Sequence, residues 1–305
     1  MFSIWHGDRR RRALRDNRSG WISPPCQRTS LIDAAARAAR HQEAVLPSAG
    51  RALTLLLGLT LAPMTLTPPA WAADPDALWT KVVQVCLKSD PHLDPANPCD
   101  VVAPEADFLL VKDLCGPTQY LLLPTHRLSG IESDELAKAP NYFQLAWEHR
   151  TWVSQRVGRM LAPDEIALAL NSADRRSQNQ FHIHIDRARS GLSDALRAYQ
   201  TDPVGRWSLF RFQGHDYHLT RLTDLSTQNP ITLVRARVAA AQGVMRHQSI
   251  GLIGATFADG SNGFYLLNGE YDGVANGGGT GGGGWAEELE IDHPKSECGY
   301  HRAPR

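Results

Sequence analysis

The chain has 305 residues, 42% of them apolar and 21% charged, with 32 basic and 32 acidic side chains. The zero net charge averages two unlike parts: residues 1–72 hold ten Arg, no Lys and four acids, which leaves 22 basic against 28 acidic side chains for the rest. That mildly acidic remainder lacks the basic face of a nucleic-acid binder, and it is long enough to bury one large core or two small ones.

Residues 52–61 form an apolar run preceded by Arg51 and followed by Ala70-Trp71-Ala72. The run is short for a transmembrane span, and Pro63, Pro68 and Pro69 interrupt the segment after it, while the small residues at 70 and 72 suit a signal peptidase. The expectation is an Arg-rich leader with a secretory signal over 1–72, cut after Ala72, or else an uncleaved anchor. The domain over 73–305 is then exported, to the periplasm or the periplasmic face of the inner membrane. Export permits disulfides. Cys86, Cys99, Cys115 and Cys298 lie beyond the leader. The short Pro-rich loop between Cys86 and Cys99 favours that bridge, which leaves Cys115–Cys298 as the second.

Residues 74–88 read as a short helix with Leu78, Val82 and Val85 on one face, and 89–104 as a Pro- and Asp-rich loop. Two strands, 108–112 and 119–123, turn through Cys115-Gly116-Pro117. Pro124 closes the second and leaves Thr125-His126-Arg127 at its tip, a place where loops carry function. Phe143, Ala146, Trp147, Val153 and Val157 form a stripe that predicts one helix over 141–159. A strand over 166–170 runs into Asn171, and a helix covers 192–199. Strands 207–212 and 217–222 then join through Gly214-His215-Asp216. Asn229-Pro230 starts a helix that reaches about 247, and a hairpin of 250–257 and 263–267 comes next. Helix then hairpin in each half hints at a diverged duplication. The Gly-rich stretch 273–284 lacks the Lys of a phosphate loop and reads as a flexible loop.

The most informative stretch is 171–186. Residues 180–185 alternate polar and apolar side chains, the period of a half-buried strand. Gln180, His182 and His184 therefore share one face, backed by Phe181, Ile183 and Ile185. The loop before them holds Arg175, Arg176, Ser177, Gln178 and Asn179, donors suited to an anion such as phosphate. Two His at i and i+2 are also a common zinc-ligand pair, and a solvated sheet face is the plain alternative.

Longer motifs add a resemblance. Gly116-Pro117-Thr118-Gln119-Tyr120-Leu121-Leu122, Pro124-Thr125-His126-Arg127, Ile131-Glu132-Ser133, residues 177–185 and Gly214-His215-Asp216-Tyr217 together resemble the CDP-diacylglycerol pyrophosphatase family of the histidine-triad superfamily. The likeness runs from about 78 to 298. It implies an α+β, histidine-triad-like fold, a mostly antiparallel sheet with flanking helices, with a core at about 105–190 and a C-terminal half at about 205–298. The superfamily pattern is His-x-His-x-His with the middle His as nucleophile. Here His182 takes the middle place, His184 the third, and Gln180 departs from the first.

The implied reaction is hydrolysis of CDP-diacylglycerol to CMP and phosphatidate through nucleotidylated His182, with His184 orienting it or acting as an acid. Arg127, Asn171, Ser177, Gln178, Gln180, His126, His215 and Tyr217 are the expected substrate contacts. The implied partners are the liponucleotide and a membrane surface. No metal, cofactor, nucleic acid or obligatory protein partner is expected. Three other readings stay open: a different nucleotide pyrophosphatase or nucleotidyl transferase on the same site, a zinc protein using His182, His184 and His215 or His218, and a non-catalytic lipid- or nucleotide-binding module.

Overall fold

The computed structural model describes residues 74–114, 116–273 and 283–291. Among them nine strands form one antiparallel sheet, in the order β1-β2-β3-β5-β4-β8-β9-β7-β6. The strands are β1 (Cys99–Ala103), β2 (Phe108–Lys112), β3 (Tyr120–Leu123), β4 (Ile166–Leu170), β5 (Ile183–Arg187), β6 (Ser208–Phe212), β7 (His215–Leu222), β8 (Gln248–Thr256) and β9 (Asn262–Glu270). The two sequence halves meet where β4 pairs β8, Ala167 opposite Ile253, so they share one continuous sheet.

The period-two pattern sorts the side chains into two faces. On one, Leu110, Tyr120, Leu122, Ile183, Ile185, Leu168, Ile250 and Leu266 build the main core. It lies beneath α2 (Tyr142–Glu148), α3 (Thr151–Val157) and α5 (Pro230–Ala240). The other face carries two separate apolar clusters. At the β1–β3 end, Leu109, Val111, Leu121 and Leu123 sit against Leu78 and Val83 of the N-terminal helical segment. At the β6–β9 end, Phe210, Tyr217, Leu219, Ile253 and Leu267 sit against α4 (Leu192–Leu196) and Leu289. His182, His184 and Asp186 occupy the polar strip between the clusters.

Five elements differ from expectation. The strand expected over 180–185 runs Ile183–Arg187, and residues 180–182 lead into it outside the ladder. The N-terminal helix is a wide π-helical stretch, Leu78–Val83, running into the α-helical turn Gln84–Cys86. β1 falls in the expected loop. The disulfide Cys86–Cys99, Cα–Cα 5.7 Å, anchors its first residue, and Val101 and Val102 pair with β2 although the flanking sequence is rich in turn residues. Helix 141–159 is split at His149–Arg150, where the Arg150 N–H turns back to Trp147 O at 3.3 Å and Arg150 Nη1 donates to the same oxygen at 2.7 Å. α5 stops at Ala240 because Gln242 turns left-handed (φ 56°) and Gly243 N–H closes on Val238 O at 2.9 Å. Cys115 and Cys298, and most of the Gly-rich 273–284, lie outside the described residues. No helix among the described residues is long and apolar enough to cross a membrane.

One segment with no sequence signal shapes the polar strip. Residues 285–291 lie across the sheet as a strap. Its 3-10 turn Ala286–Leu289 sits over β4 and β8, and Glu290 bridges Ala188. Small residues beneath make room for it: a Cβ on Gly251 would stand 2.1 Å from Leu289 Cδ1.

Candidate active site

His182 stands where the chain enters β5. Phe181 and Ile183 are fixed in the main core, so alternation turns His182 and His184 to the strip between the clusters. The His182 Nδ1 lies 2.6 Å from Gln180 O. A carbonyl oxygen only accepts, so Nδ1 carries the proton and Nε2 keeps its lone pair. Burial first, then the neighbouring His184, push the His182 pKa down to about 4, against the opposing pull of the Gln180 carbonyl and Glu287. The imidazole is therefore neutral at ordinary pH. Its ring stands edge-on to His184, centroids 4.9 Å apart.

His184 Nε2 is 3.3 Å from Glu287 Oε1. Asn171 holds that carboxylate from the end of β4: its Nδ2 donates to Glu287 Oε1 at 2.5 Å, and its Oδ1 accepts from Ala286 N–H at 2.9 Å. Deeper along the strip, Thr118 donates to Asp186 at 2.6 Å and Gln119 to Glu290 at 2.8 Å. Burial, then Asp186 and Glu287, raise the Glu290 pKa well above the usual carboxylate range. Glu287 and Glu290 had no signal in the sequence. They sit in an acidic turn that reads as surface, and their partners are more than a hundred residues away in the chain.

The loop before His182 is stitched down rather than free. Phe181 N–H bonds Leu128 O, Asn179 N–H bonds Pro75 O, and Ser172 N–H bonds Gly284 O. Arg176 forms a fork on Glu132, with Nη1–Oε2 at 2.6 Å and Nη2–Oε1 at 2.8 Å. Gly130, Leu170, Asn171, Arg176, Gln180 and His182 line a small recess.

The structure sorts the expected contact residues. Asn171 lies at the histidine pair, with its amide engaged by the strap. Gln180 is fully buried and ties the neighbouring loop, donating to His126 O at 2.9 Å and accepting from Leu128 N–H at 3.4 Å. Gln178 likewise holds the N-terminal segment, through Leu78 N–H at 2.7 Å and Asp74 O at 3.1 Å. Both therefore serve backbone groups in this structure. Ser177 is exposed on the loop. Arg127 is half-exposed, pairs with Asp76 at 2.5 Å and stands over the Trp79 ring. His126 Nδ1 meets Asp107 Oδ1 at 3.0 Å. Burial works to raise the Asp107 pKa, but hydrogen bonds from Thr125, Tyr142 and His126 outweigh it and hold the carboxylate below its usual range.

His215 and Tyr217 are not brought to His182. They lie on β7, four strands from β5, or about 19 Å at the usual strand spacing, and both bond the buried Glu288 of the strap. His218 points to the opposite face by alternation. The zinc set of His182, His184 and a β7 histidine is thus not assembled among the described residues.

A hydrogen-bonded imidazole with an open nitrogen, beside a histidine–carboxylate pair and a recess with a fixed Arg, suits nucleophilic attack on an electrophile such as phosphorus. The comparisons agree on the class. The family described as CDP-diacylglycerol pyrophosphatase matches residues 73–293. A CDP-diacylglycerol pyrophosphatase of Yersinia pestis is 38% identical over 185 residues, 58% of this chain and 70% of that relative. The chain is therefore a hydrolase. It belongs to the CDP-diacylglycerol pyrophosphatase family.

Proposed function

We propose that the chain hydrolyses CDP-diacylglycerol to CMP and phosphatidate by way of a nucleotidylated His182, on a histidine-triad-like arrangement of β4 and β5. The observation that carries this is the Nδ1 bond of His182 to Gln180 O, which leaves Nε2 unprotonated. Nε2 attacks the nucleotide-side phosphorus and forms a P–N bond. The bond from that phosphorus to the bridging oxygen breaks, and phosphatidate leaves with the electron pair. Water then attacks the same phosphorus, the P–N bond breaks, and CMP leaves.

His184 is the proton donor to the departing phosphate in this reading. Its Nε2 stands 3.3 Å from Glu287 Oε1. Arg127 and Ser177 serve the anionic oxygens from the rim; Arg127 must exchange Asp76 for substrate to do so. Export belongs to the same reading. The family match begins at residue 73, just after the expected cleavage site, and the Cys86–Cys99 bridge suits an oxidising compartment.

The direct test is a quenched turnover with CDP-diacylglycerol labelled at the nucleotide-side phosphorus. Acid-labile, base-stable label is expected on the peptide that contains His182. A product formed by single inversion at phosphorus, with no labelled protein at any time, would mean direct attack by water and would overturn the mechanism.

A further inference from the structure

A groove of about 630 Å³ adjoins the His182 recess, and the two share Arg176 as a wall. Its other lining includes Glu132, Asn179, Val244, Met245 and Arg246. That volume is ordinary for a small-molecule site. The charged and polar lining suits a polar group rather than a pair of acyl chains, which need continuous apolar cover. Val244 is half-exposed and Met245 packs partly on the main core, so together they offer an apolar wall on which a planar ring can rest.

Glu132 is the one carboxylate among the described residues of this lining, and it is fixed. The Arg176 fork holds both of its oxygens. The pair lies against bare backbone: a Cβ on Gly130 would stand 2.1 Å from Arg176 Nη1 and 2.8 Å from Glu132 Oε2. The Glu132 backbone N–H and the exposed Ser129 hydroxyl also bond this carboxylate, so a donor entering the groove takes the place of the Ser129 hydroxyl. An ionised carboxylate accepts only. It favours a ring bearing an amino group and opposes one bearing a carbonyl there.

We propose that this groove takes the nucleoside half of the substrate, with Glu132 accepting a hydrogen bond from the exocyclic amino group of the base. Arg176 and Gly130 are positioning residues for that carboxylate. The assignment rests on the hydrolase reading for the identity of the nucleotide, and on the groove alone for its amino-over-oxo preference.

The test is calorimetric binding of CMP and UMP to the full-length protein, run beside turnover of CDP-diacylglycerol. Wild type should bind CMP about tenfold to a hundredfold more tightly than UMP, the usual worth of one hydrogen bond to a charged group. Glu132→Gln should lose most of that preference. Met245→Trp, which fills the groove, should weaken both nucleotides about tenfold or more. Equal affinities in wild type, or a Met245→Trp protein that binds both as wild type does, would overturn the proposal. A wild type that turns over substrate without preferring CMP would remove the groove and keep the hydrolase reading. A wild type that prefers CMP, loses the preference in Glu132→Gln and shows no turnover would keep the groove and remove that reading.

Discussion

His182 and His215 are both fixed through Nδ1, by opposite kinds of acceptor. His182 bonds a backbone carbonyl, which stabilises the neutral ring and leaves Nε2 open beside a recess. His215 bonds the carboxylate of Glu288, which also receives the Tyr217 hydroxyl. A carboxylate oxygen only accepts, so His215 Nδ1 donates to Glu288 and the ring is held against the strap. One histidine is thereby set up as a nucleophile and the other as a tie between the strap and β7. Two histidines thus take different roles from their tertiary partners.

The sharpest way to break this comparison is His182→Asn. Loss of the nucleophile should lower kcat/KM for CDP-diacylglycerol on the order of 10⁴-fold or more while far-UV circular dichroism stays unchanged. Retention of a tenth of the wild-type rate would place the nucleophile elsewhere.

His184→Asn comes next, at about 10²–10⁴-fold in kcat, the range for a lost general acid. The loss should shrink with a substrate analogue whose leaving group is more acidic, because that group departs without a proton. An equal loss for good and poor leaving groups would make His184 a support for His182 rather than an acid.

Stability against pH sharpens the contrast from the thermodynamic side. His182 titrates near 6.5 when unfolded and near 4 when folded. Between those values the unfolded chain binds the extra proton, so stability falls as pH drops through 6.5 and stops falling from this source below about 4. The Tm of wild type should therefore drop relative to that of His182→Asn across this window. Parallel Tm curves for the two proteins would mean that His182 is not held neutral.

The smallest effect on activity is expected at His215. His215→Asn should change kcat/KM only a few-fold, yet cost about 1–3 kcal/mol of unfolding free energy by depriving buried Glu288 of a partner. Burial already raises the Glu288 pKa, and His215 opposes that rise. Urea denaturation measures the loss. A thousandfold fall in activity with unchanged stability would instead return His215 to the substrate.

Much of the sheet was legible because strands announce themselves locally. β2, β4, β8 and β9 are apolar runs bounded by turn residues, and the alternation through Phe181, His182, Ile183 and His184 assigns each to its face. β1 and the break at His149 were not legible. The first depends on a partner strand and a disulfide, the second on the Arg150 side chain and N–H both engaging Trp147 O.

The candidate site divides the same way. That His182 and His184 share a polar face is a consequence of the two-residue period of an extended chain, and the sequence by itself settles it. Which residues stand beside them is set by no local rule. Gln180 and Gln178 look like anion donors in the sequence, but backbone groups of 126, 128, 74 and 78 take their amides. Glu287 looks like surface, but the strap carries it to Asn171 and His184 from the far end of the chain. Such partnerships arise when β4 and β8 pair and Leu289 settles over Gly251. They depend on burial and on contacts between distant segments, so only the tertiary structure decides them.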